Sequence, residues 1–312
     1  MISTRKLLRS SVALVASATL AFGLTACNRD SAGAAGDVTL ALSTQTNPFF
    51  VQLREGAQEK ADELGVNLNV QDASDDPSTQ SNQLNNAATT GASVVIVNPT
   101  DSDAVVPAVE ALNNADIPVI AVDRSSNGGD IASFVASDNV AGGRQAADAL
   151  AEAIGVEGDI LVLQGVSGSS SSRDRGQGFA EGIAEYPGIN VVAQQTANFD
   201  RGEGLDVATN LLQAHPDVKA IFAENDEMAL GAIEALGNRA DSEVTVVGFD
   251  GTDEGLAAVE DGTMTATIAQ QPAELGARAV EEAAKLLEDQ EAETEVPVEV
   301  ITVTNENVGD FQ

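Results

Sequence analysis

The chain has 312 residues, of which 43% are hydrophobic and 3% aromatic, and its formal net charge at pH 7 is −34. This length and apolar content are sufficient for two domains with cores of their own, and they exclude a disordered or fibrous chain. The excess of Asp and Glu also excludes nucleic acid as a partner, because that binding needs basic patches to meet the phosphates.

Residues 1–26 have the pattern of an export signal. Three basic residues, Arg5, Lys6 and Arg9, precede an apolar run from Ser11 to Ala26. This run is shorter than the roughly 20 residues of a membrane-spanning helix, and no later stretch is apolar for long enough. Removal of the segment would take away three basic and no acidic residues, which changes the net charge to −37. The sequence predicts an exported protein that does not span the membrane.

Cys27 is the only cysteine, which excludes a disulfide framework and a thiolate-rich metal site. It ends the stretch "LTAC", which is similar to the bacterial lipobox, in which the cysteine becomes the lipid-modified first residue. A lone cysteine is otherwise often buried and inert. The signal-like segment before Cys27 favours lipidation, with residues 27–37 as the lipidated cysteine and a flexible tether. The protein would then be anchored on the outer face of the cytoplasmic membrane, or would lie in the periplasm.

From Val38 onward, short β-branched runs alternate with stretches of helical period. The first series contains "VTLALS", "VNLNVQ", "SVVIV" and "IPVIAV" with predicted helices over 48–64, 77–90 and 102–115. After "SFVASD" a second series contains "DILVLQ", "NVVAQQ", "KAIFAE" and "VTVVGF" with helices near 139–154, 172–186, 202–214 and 226–237. This alternation predicts an α/β protein of two doubly wound parallel-sheet domains in series.

The last part of the chain is too short for a third domain. It contains "TATIAQ", a predicted helix near 272–288 and "VPVEVITV" at 296–303. These segments must therefore complete the two sheets already begun. A chain that crosses between domains more than once forms a multi-stranded hinge, which restricts the motion to opening and closing.

Polar and aromatic residues follow the predicted strands in both halves, where parallel sheets bind their ligands. They are Asn47, Phe49, Phe50, Asn98, Asp123, Arg124, Arg173, Arg175, Phe199, Asn225, Phe249, Asp250 and Gln270. Asp accepts hydrogen bonds from hydroxyls, Arg donates in a rigid fork, and Asn and Gln do both. Aromatic rings cover the apolar C–H face of a sugar. Because no GxGxxG or P-loop motif follows a strand, the set favours a neutral polyol over a phosphate ligand.

Each of these residues also has a structural interpretation. Asn and Asp after a strand often cap a helix or form a turn, and a phenylalanine at a strand end often belongs to the core. Arg173 and Arg175 could be exposed charges at a helix start, although the helix dipole disfavours a cation there. Phe134, Phe179 and Phe222 lie within strand or helix patterns and are assigned to the core. The coincidence of the others at one end of two sheets favours a binding site.

The ordered motifs "NPFF", "IPVIAVDR", "RDRGQGF", "AENDEMALGA", "VVGFDGT" and "TIAQQP" make residues 38–303 similar to the periplasmic sugar-binding protein family. The similarity is strongest to members that bind ribose for ABC importers. The resemblance implies a type I periplasmic binding protein fold with hinge crossings near Ser137 to Asp138, near Gln270 to Gln271 and near Glu299. The implied domains are 38–137 with 271–299, and 138–270 with 300–312.

The resemblance also implies a sugar site. The family's ligand residues would correspond to Asn47, Phe49, Phe50, Asn98, Asp123, Arg124, Arg175, Phe199, Asn225, Phe249, Asp250 and Gln270. Phe49 and Phe50 would cover one face of the pyranose and Phe199 the other, with Phe249 at the edge, while the polar residues hold the hydroxyls and the ring oxygen. The expected protein is a monomer without a cofactor or metal. It would capture D-ribose by hinge closure, deliver it to an ABC transporter permease and contact the membrane only through its lipid anchor.

Three alternatives remain at this point. The ligand could be another sugar, such as allose, another pentose or a furanose-like signal. A glycoside-processing enzyme could use Asp123 and Asp250 as its carboxylate pair, but the Arg or Asn beside each of them suits binding better than proton transfer. His215, the single histidine, is expected to end a helix and is not assigned to catalysis. A LacI-type regulator would need a basic helix-turn-helix where the export signal stands.

Overall fold

A computed structural model describes residues 37–311. The predicted export signal, Cys27 and almost all of the predicted tether lie outside the described residues. The first series of elements is β1 (Asp37–Leu42), α1 (Pro48–Leu64), β2 (Asn67–Asp72), α2 (Pro77–Thr90), β3 (Val94–Val97), α3 (Val106–Asn113), β4 (Val119–Val122) and β5 (Ser133–Ser137).

The second series begins with a helix directly after β5. It contains α4 (Asn139–Ile154), β6 (Glu157–Gln164), α5 (Ser170–Ile183), β7 (Gly188–Thr196), α6 (Arg201–Ala214), β8 (Ala220–Ala223), α7 (Asp226–Leu236), β9 (Thr245–Asp250), α8 (Asp253–Glu260) and β10 (Ala266–Ala269). The chain ends with α9 (Pro272–Leu287), β11 (Glu295–Val298) and β12 (Ile301–Thr304), and short 3₁₀ helices lie at Gly237–Arg239 and Val308–Asp310.

These strands form two six-stranded sheets, with the orders β11-β5-β4-β3-β1-β2 and β12-β10-β9-β8-β6-β7. Every strand pairing is parallel except that of β12, which runs antiparallel to β10. We call the sheet that contains β1, with its helices, the first lobe, and the sheet that contains β6, with its helices, the second lobe. The prediction of two doubly wound α/β domains is confirmed.

The chain passes between the lobes three times. It leaves the first lobe between β5 and α4, returns to it between β10 and α9, and leaves it again between β11 and β12. Helix α9 packs in the first lobe, where Leu275, Ala279 and Val280 join the core formed by β1 and α1. Three neighbouring connections of this kind form the hinge that the tail of the sequence predicts.

The sequence pattern misses some details of the second lobe. Helix α8 was not predicted, because it has only eight residues and contains Gly255, a poor helix former. Its start is stabilised by the Thr252 side chain, which accepts a hydrogen bond from the Gly255 amide at 3.1 Å. The single run "VPVEVITV" is divided between β11 and β12, which belong to different sheets.

Phe179 and Phe222 stack in the core of the second lobe, with ring centroids 4.2 Å apart, as predicted. Phe134 is only partly buried on β5, so its assignment to the core was wrong. Within residues 37–311, every helix is too short or too polar to cross a membrane.

Candidate functional site

A cavity lies between the carboxyl ends of the two sheets. It is lined by Asn47, Phe49, Phe50, Asp123, Arg124, Ser171, Arg175, Phe199, Asn225, Asp250 and Gln270. The structure thus brings together ten of the twelve residues predicted from the sequence. The enclosed space, with its opening to solvent, is about 230 Å³.

Aromatic rings form two opposite walls of the cavity. Phe49 and Phe50 lie in the first turn of α1, where their rings meet edge to face with centroids 5.1 Å apart. Asn47 caps the same helix by accepting a hydrogen bond from the Phe49 amide at 2.9 Å. Phe199, after β7 in the second lobe, forms the facing wall. The apolar surfaces therefore come from both lobes, and only their approach creates the site.

The backbone at Phe199 has a strained conformation. Asn198 and Phe199 have φ angles of 52° and 60°, in the left-handed region that non-glycine residues seldom adopt. Asn225, which caps α7, donates from Nδ2 to the Phe199 carbonyl at 3.2 Å. We infer that this hydrogen bond helps to hold the ring of Phe199 in the cavity, because such strain persists only where the surroundings determine it.

The first lobe contributes an acidic and a basic side chain that are both buried. Asp123 and Arg124 follow β4 and are 2% and 4% exposed. Asn98, after β3, donates to the Oδ2 of Asp123 at 3.0 Å. Burial raises the pKa of Asp123, while Arg124, Arg175 and the hydrogen bond from Asn98 act in the opposite direction. The three cationic and polar neighbours thus stabilise the ionised carboxylate.

The second lobe contributes a similar group. Arg175 on α5 donates to the Asn139 Oδ1 at 2.8 Å and lies 3.4 Å from the Oδ1 of Asp250. Gln270 donates to the same Asp250 oxygen at 2.7 Å. Burial raises the pKa of Asp250, and the positive charge of Arg175 opposes this shift. Two carboxylates and two guanidinium groups therefore line the cavity, a balance that suits an uncharged ligand.

Three buried polar atoms of the cavity have no hydrogen-bond partner among the described residues. They are the Oδ1 of Asp123, the Nε of Arg124 and the Oε1 of Gln270. The Nε of Arg124 lies 3.5 Å from the Oδ2 of Asp123, without the geometry of a hydrogen bond. Buried polar atoms are nearly always paired in native proteins, because an unpaired group costs about 1 to 3 kcal/mol. Two acceptors and one donor are thus available to a ligand.

Two of the predicted residues do not reach the cavity wall. The Asn98 side chain is fully buried and uses its hydrogen bonds within the protein, with the Ser43 amide, the Val122 carbonyl and Asp123. Phe249 is fully buried below Arg175, whose guanidinium carbon lies 3.9 Å from the ring centroid. The structure places Asn98 as a support of Asp123, and Phe249 as a support of Arg175.

Other residues near the site were not predicted to contact a ligand. Ser171 lines the cavity, but nothing in the run "SGSSSS" distinguishes it from its neighbours. Asp75, after β2, lies with Arg124 and Phe199 in an adjoining space. Its position in "DASDDP" has the sequence signal of a turn, which conceals its proximity to the cleft. Arg173, a further candidate, is exposed beside the cavity. His215 ends α6, as predicted, and does not line the cavity.

Hydrogen bonds join the lobes at the rim of the cavity. The Ser125 amide donates to the Oγ of Ser170 at 2.8 Å, and the Ser102 amide donates to the Gly168 carbonyl at 3.1 Å. Arg173 reaches across to Asn127, with its Nη2 3.3 Å from the Oδ1. The structure therefore represents the lobes in a closed arrangement, in which the site is assembled.

A family model for a periplasmic binding protein domain matches residues 38–291. This chain belongs to the periplasmic binding protein family. A ribose import binding protein of Escherichia coli K12 is 46% identical over 286 residues, which cover 92% of this chain and 96% of the relative. As a member of this family with such relatives, the protein is an extracytoplasmic solute-binding protein and not an enzyme.

Solved structures confirm the fold of this periplasmic binding protein. A Caulobacter myo-inositol binding protein, bound to myo-inositol, is 35% identical with a TM-score of 0.85, and the match covers 89% of this chain and 96% of that one. An ABC transporter periplasmic solute binding protein of Actinobacillus succinogenes, with bound D-allose, is 34% identical with a TM-score of 0.83 over 88% and 99% of the two chains.

Proposed function

We propose that this protein captures a monosaccharide, D-ribose above others, and delivers it to the permease of an ABC transporter. The observation that carries the proposal is the set of unpaired buried atoms on Asp123, Arg124 and Gln270, which lie between aromatic walls. A small polyol supplies what these atoms lack, since its hydroxyls both donate and accept. The similarity to ribose import binding proteins supports ribose as the first choice.

Under this proposal each group has a role in binding. Sugar hydroxyls donate to the Oδ1 of Asp123 and the Oε1 of Gln270, and the Nε of Arg124 donates to a sugar oxygen. The rings of Phe50 and Phe199 cover the two apolar faces. Because these groups come from both lobes, the sugar binds the closed form more tightly than the open form and shifts the population toward closure.

The lobes proposed to move are 38–137 with 271–299, and 138–270 with 300–312. Their closure would create the surface that the permease recognises. Small-angle scattering of the purified domain, with and without D-ribose, tests this motion. We expect a smaller radius of gyration with the sugar, and superimposable curves would contradict hinge closure.

The ligand is tested by titration calorimetry over a panel of D-ribose, D-allose, myo-inositol, D-glucose and D-galactose. We expect ribose to bind at micromolar affinity or tighter and glucose and galactose to bind much more weakly. D-allose is the second candidate, because it is bound in a structural neighbour that is 34% identical. Equal affinity for ribose and glucose, or no heat with ribose, would contradict the assignment.

A glycosidase role for Asp123 and Asp250 is the least supported alternative. Each carboxylate is already within 3.5 Å of an arginine, Arg124 or Arg175, whose charge opposes the rise in pKa that burial causes. The named relatives are binding proteins and not enzymes. Incubation with aryl glycosides tests this point, since measurable release of the aryl group would contradict a pure binding role.

We also propose that residues 1–26 are removed as a signal peptide, that Cys27 is lipidated and that the mature protein is a monomer. The support is the basic and apolar pattern before "LTAC". Cys27→Ser should shift the exported protein from the membrane fraction to the soluble fraction, whereas an unchanged fractionation would contradict lipid anchoring. Light scattering of the purified domain tests the monomer.

A further inference from the structure

A buried carboxylate lies directly behind the second-lobe wall of the cavity. Glu224 follows β8, immediately before Asn225, and is completely buried. It does not line the cavity. A buried glutamate is rare unless it is paired, because loss of water destabilises its charge. Burial raises the pKa of Glu224 to about 7, and its hydrogen-bond donors oppose this shift.

Glu224 connects three separate segments of the site. Its Oε2 accepts hydrogen bonds from the Gly165 amide, at 2.7 Å, and from the Ser172 hydroxyl. Its main-chain carbonyl accepts a hydrogen bond from the Nη1 of Arg175 at 2.6 Å. Gly165 lies after β6, and Ser172 and Arg175 lie on α5. One residue thereby fixes the β6–α5 connection and the first part of α5 to the end of β8.

Each bonded segment supports a residue of the cavity. The Phe199 ring lies on Gly165, where a methyl group would come within 2.1 Å of the ring carbons. Ser172 is adjacent to Ser171, which lines the cavity, and Arg175 lines it one turn further along α5. A shift of Gly165 or of α5 would therefore move the aromatic wall and the guanidinium together.

The local sequence makes room for the carboxylate. Gly176, next to Arg175 on α5, faces Glu224, and a methyl group at this position would come 3.1 Å from the Oε1 of Glu224. This Oε1 has no hydrogen-bond partner among the described residues. The hydrogen bonds that the Glu224 side chain accepts therefore come from Gly165 and Ser172.

We propose that Glu224 is a positioning residue for sugar binding, which acts through Gly165 and Phe199 on one side and through Ser172 and Arg175 on the other. This inference rests on the proposed function, because its effect is measured as affinity for the sugar. The chemistry required is a fixed acceptor, so a glutamine, whose carbonyl oxygen can accept both hydrogen bonds, should serve nearly as well.

The first test compares D-ribose affinity by calorimetry in E224A, E224Q and the unaltered protein. We expect at least about a tenfold loss in E224A, since two donors lose their acceptor, and less than about threefold in E224Q. If E224A does not fold, S172A removes one of the two hydrogen bonds and should weaken binding by about threefold to tenfold. Unchanged affinity in E224A, or in S172A when E224A does not fold, would overturn the proposal.

The matched control is Glu282→Ala on α9. Glu282 is also a buried glutamate, and its Oε2 accepts a hydrogen bond from a main-chain amide, that of Glu293, at 2.8 Å. It lies outside the cavity, so E282A should lower the free energy of unfolding and leave the affinity for ribose unchanged. An equal loss of affinity in E282A would show that destabilisation alone explains the result.

A double-mutant cycle separates positioning from a general structural role. Phe199→Leu combined with E224A should weaken binding by less than the product of the two single effects, because Glu224 acts partly through that ring. Phe50→Leu, in the first lobe, should combine with E224A multiplicatively. Multiplicative effects in both cycles would contradict the proposal. Absence of sugar binding by the unaltered protein would instead contradict the proposed function.

Discussion

The guanidinium carbon of Arg124, in the first lobe, lies 5.5 Å from the ring centroid of Phe199, in the second lobe. The same carbon lies 5.2 Å from the ring centroid of Phe50. Arginine is stabilised over aromatic faces by their electron density, most strongly where water is excluded. Arg124 thus contacts an aromatic ring from each lobe, and the contact with Phe199 depends on the closed arrangement of the lobes.

Arg124→Ala should weaken ribose binding by about a hundredfold, or about 3 kcal/mol, because it leaves Asp123 without its adjacent cation and the sugar without a donor. Arg124→Lys should have an intermediate effect, since lysine retains the positive charge and lacks the forked N–H donors of the guanidinium group. Calorimetry measures both. Arg239→Ala, which removes an exposed ion pair with Glu243, is the control with no expected effect. An affinity of R124A within threefold of the unaltered protein would show that the site is misassigned.

Gly165→Ala should weaken binding without unfolding the protein. The added methyl group would meet the Phe199 ring at 2.1 Å, so the ring must move away from the second-lobe wall. We expect a loss of at least about tenfold in affinity for ribose, as overpacking typically costs about 1 to 3 kcal/mol. Gly309→Ala, at a position with open space around it, is the matched control. Equal affinity for ribose in G165A and G309A would contradict the inference that the Phe199 ring must lie against Gly165 for the sugar to bind.

Ser170→Ala tests the hydrogen bonds that join the lobes. It removes the acceptor of the Ser125 amide, a bond made between lobes at 2.8 Å. One such bond contributes about 1 kcal/mol, so we expect about a threefold to fivefold lower affinity. Ser78→Ala, at an exposed position on α2, is the control. If S170A and S78A bind ribose equally well, this bond does not stabilise the closed form.

The stability of the protein should depend on pH through Glu224. Burial raises the pKa of this carboxyl from 4.5 to about 7 in the folded protein. The folded state therefore binds the proton more tightly than the unfolded state does. The contribution of this carboxyl to the free energy of unfolding is fully present below pH 4.5 and is lost as the pH rises through 7. E224Q cannot ionise, so it should gain stability relative to the unaltered protein by on the order of 3 kcal/mol over this range.

Urea denaturation at a series of pH values measures this difference. Glu234→Gln, at an exposed position on α7, should show no comparable change with pH. A constant difference between E224Q and the unaltered protein from pH 4.5 to about 7.5 would contradict the shift.

The sequence predicted the fold well because parallel strands buried on both faces form short apolar runs that are easily recognised. It also predicted most of the cavity, since the carboxyl ends of parallel strands meet at one edge. Periodicity could not show that Asn98 lies behind Asp123, or that Phe249 lies below Arg175. Both residues lie at strand ends as the others do. Phe249 is separated from the cavity wall by its packing with residues of α4 and α5, and Asn98 by its hydrogen bonds with Ser43, Val122 and Asp123.

The roles of Ser171 and Glu224 at the site could not be predicted from the sequence. A serine among serines has no distinctive signal, and a glutamate beside Asn225 looks like a solvent-exposed charge at a helix start. Their roles depend on contacts between segments that are distant in the chain, such as that between Gly165 and Glu224. No local pattern reports a contact of this kind.

The division of the last strands between the two sheets has a consequence for synthesis. β11 pairs with β5 in the first lobe, and β12 pairs with β10 in the second. Both strands follow all the other strands of the two sheets in the sequence, so each lobe lacks an edge strand until residues 295–304 have left the ribosome. A chain truncated before Glu295 would leave both lobes incomplete, so the two halves are completed together rather than one after the other.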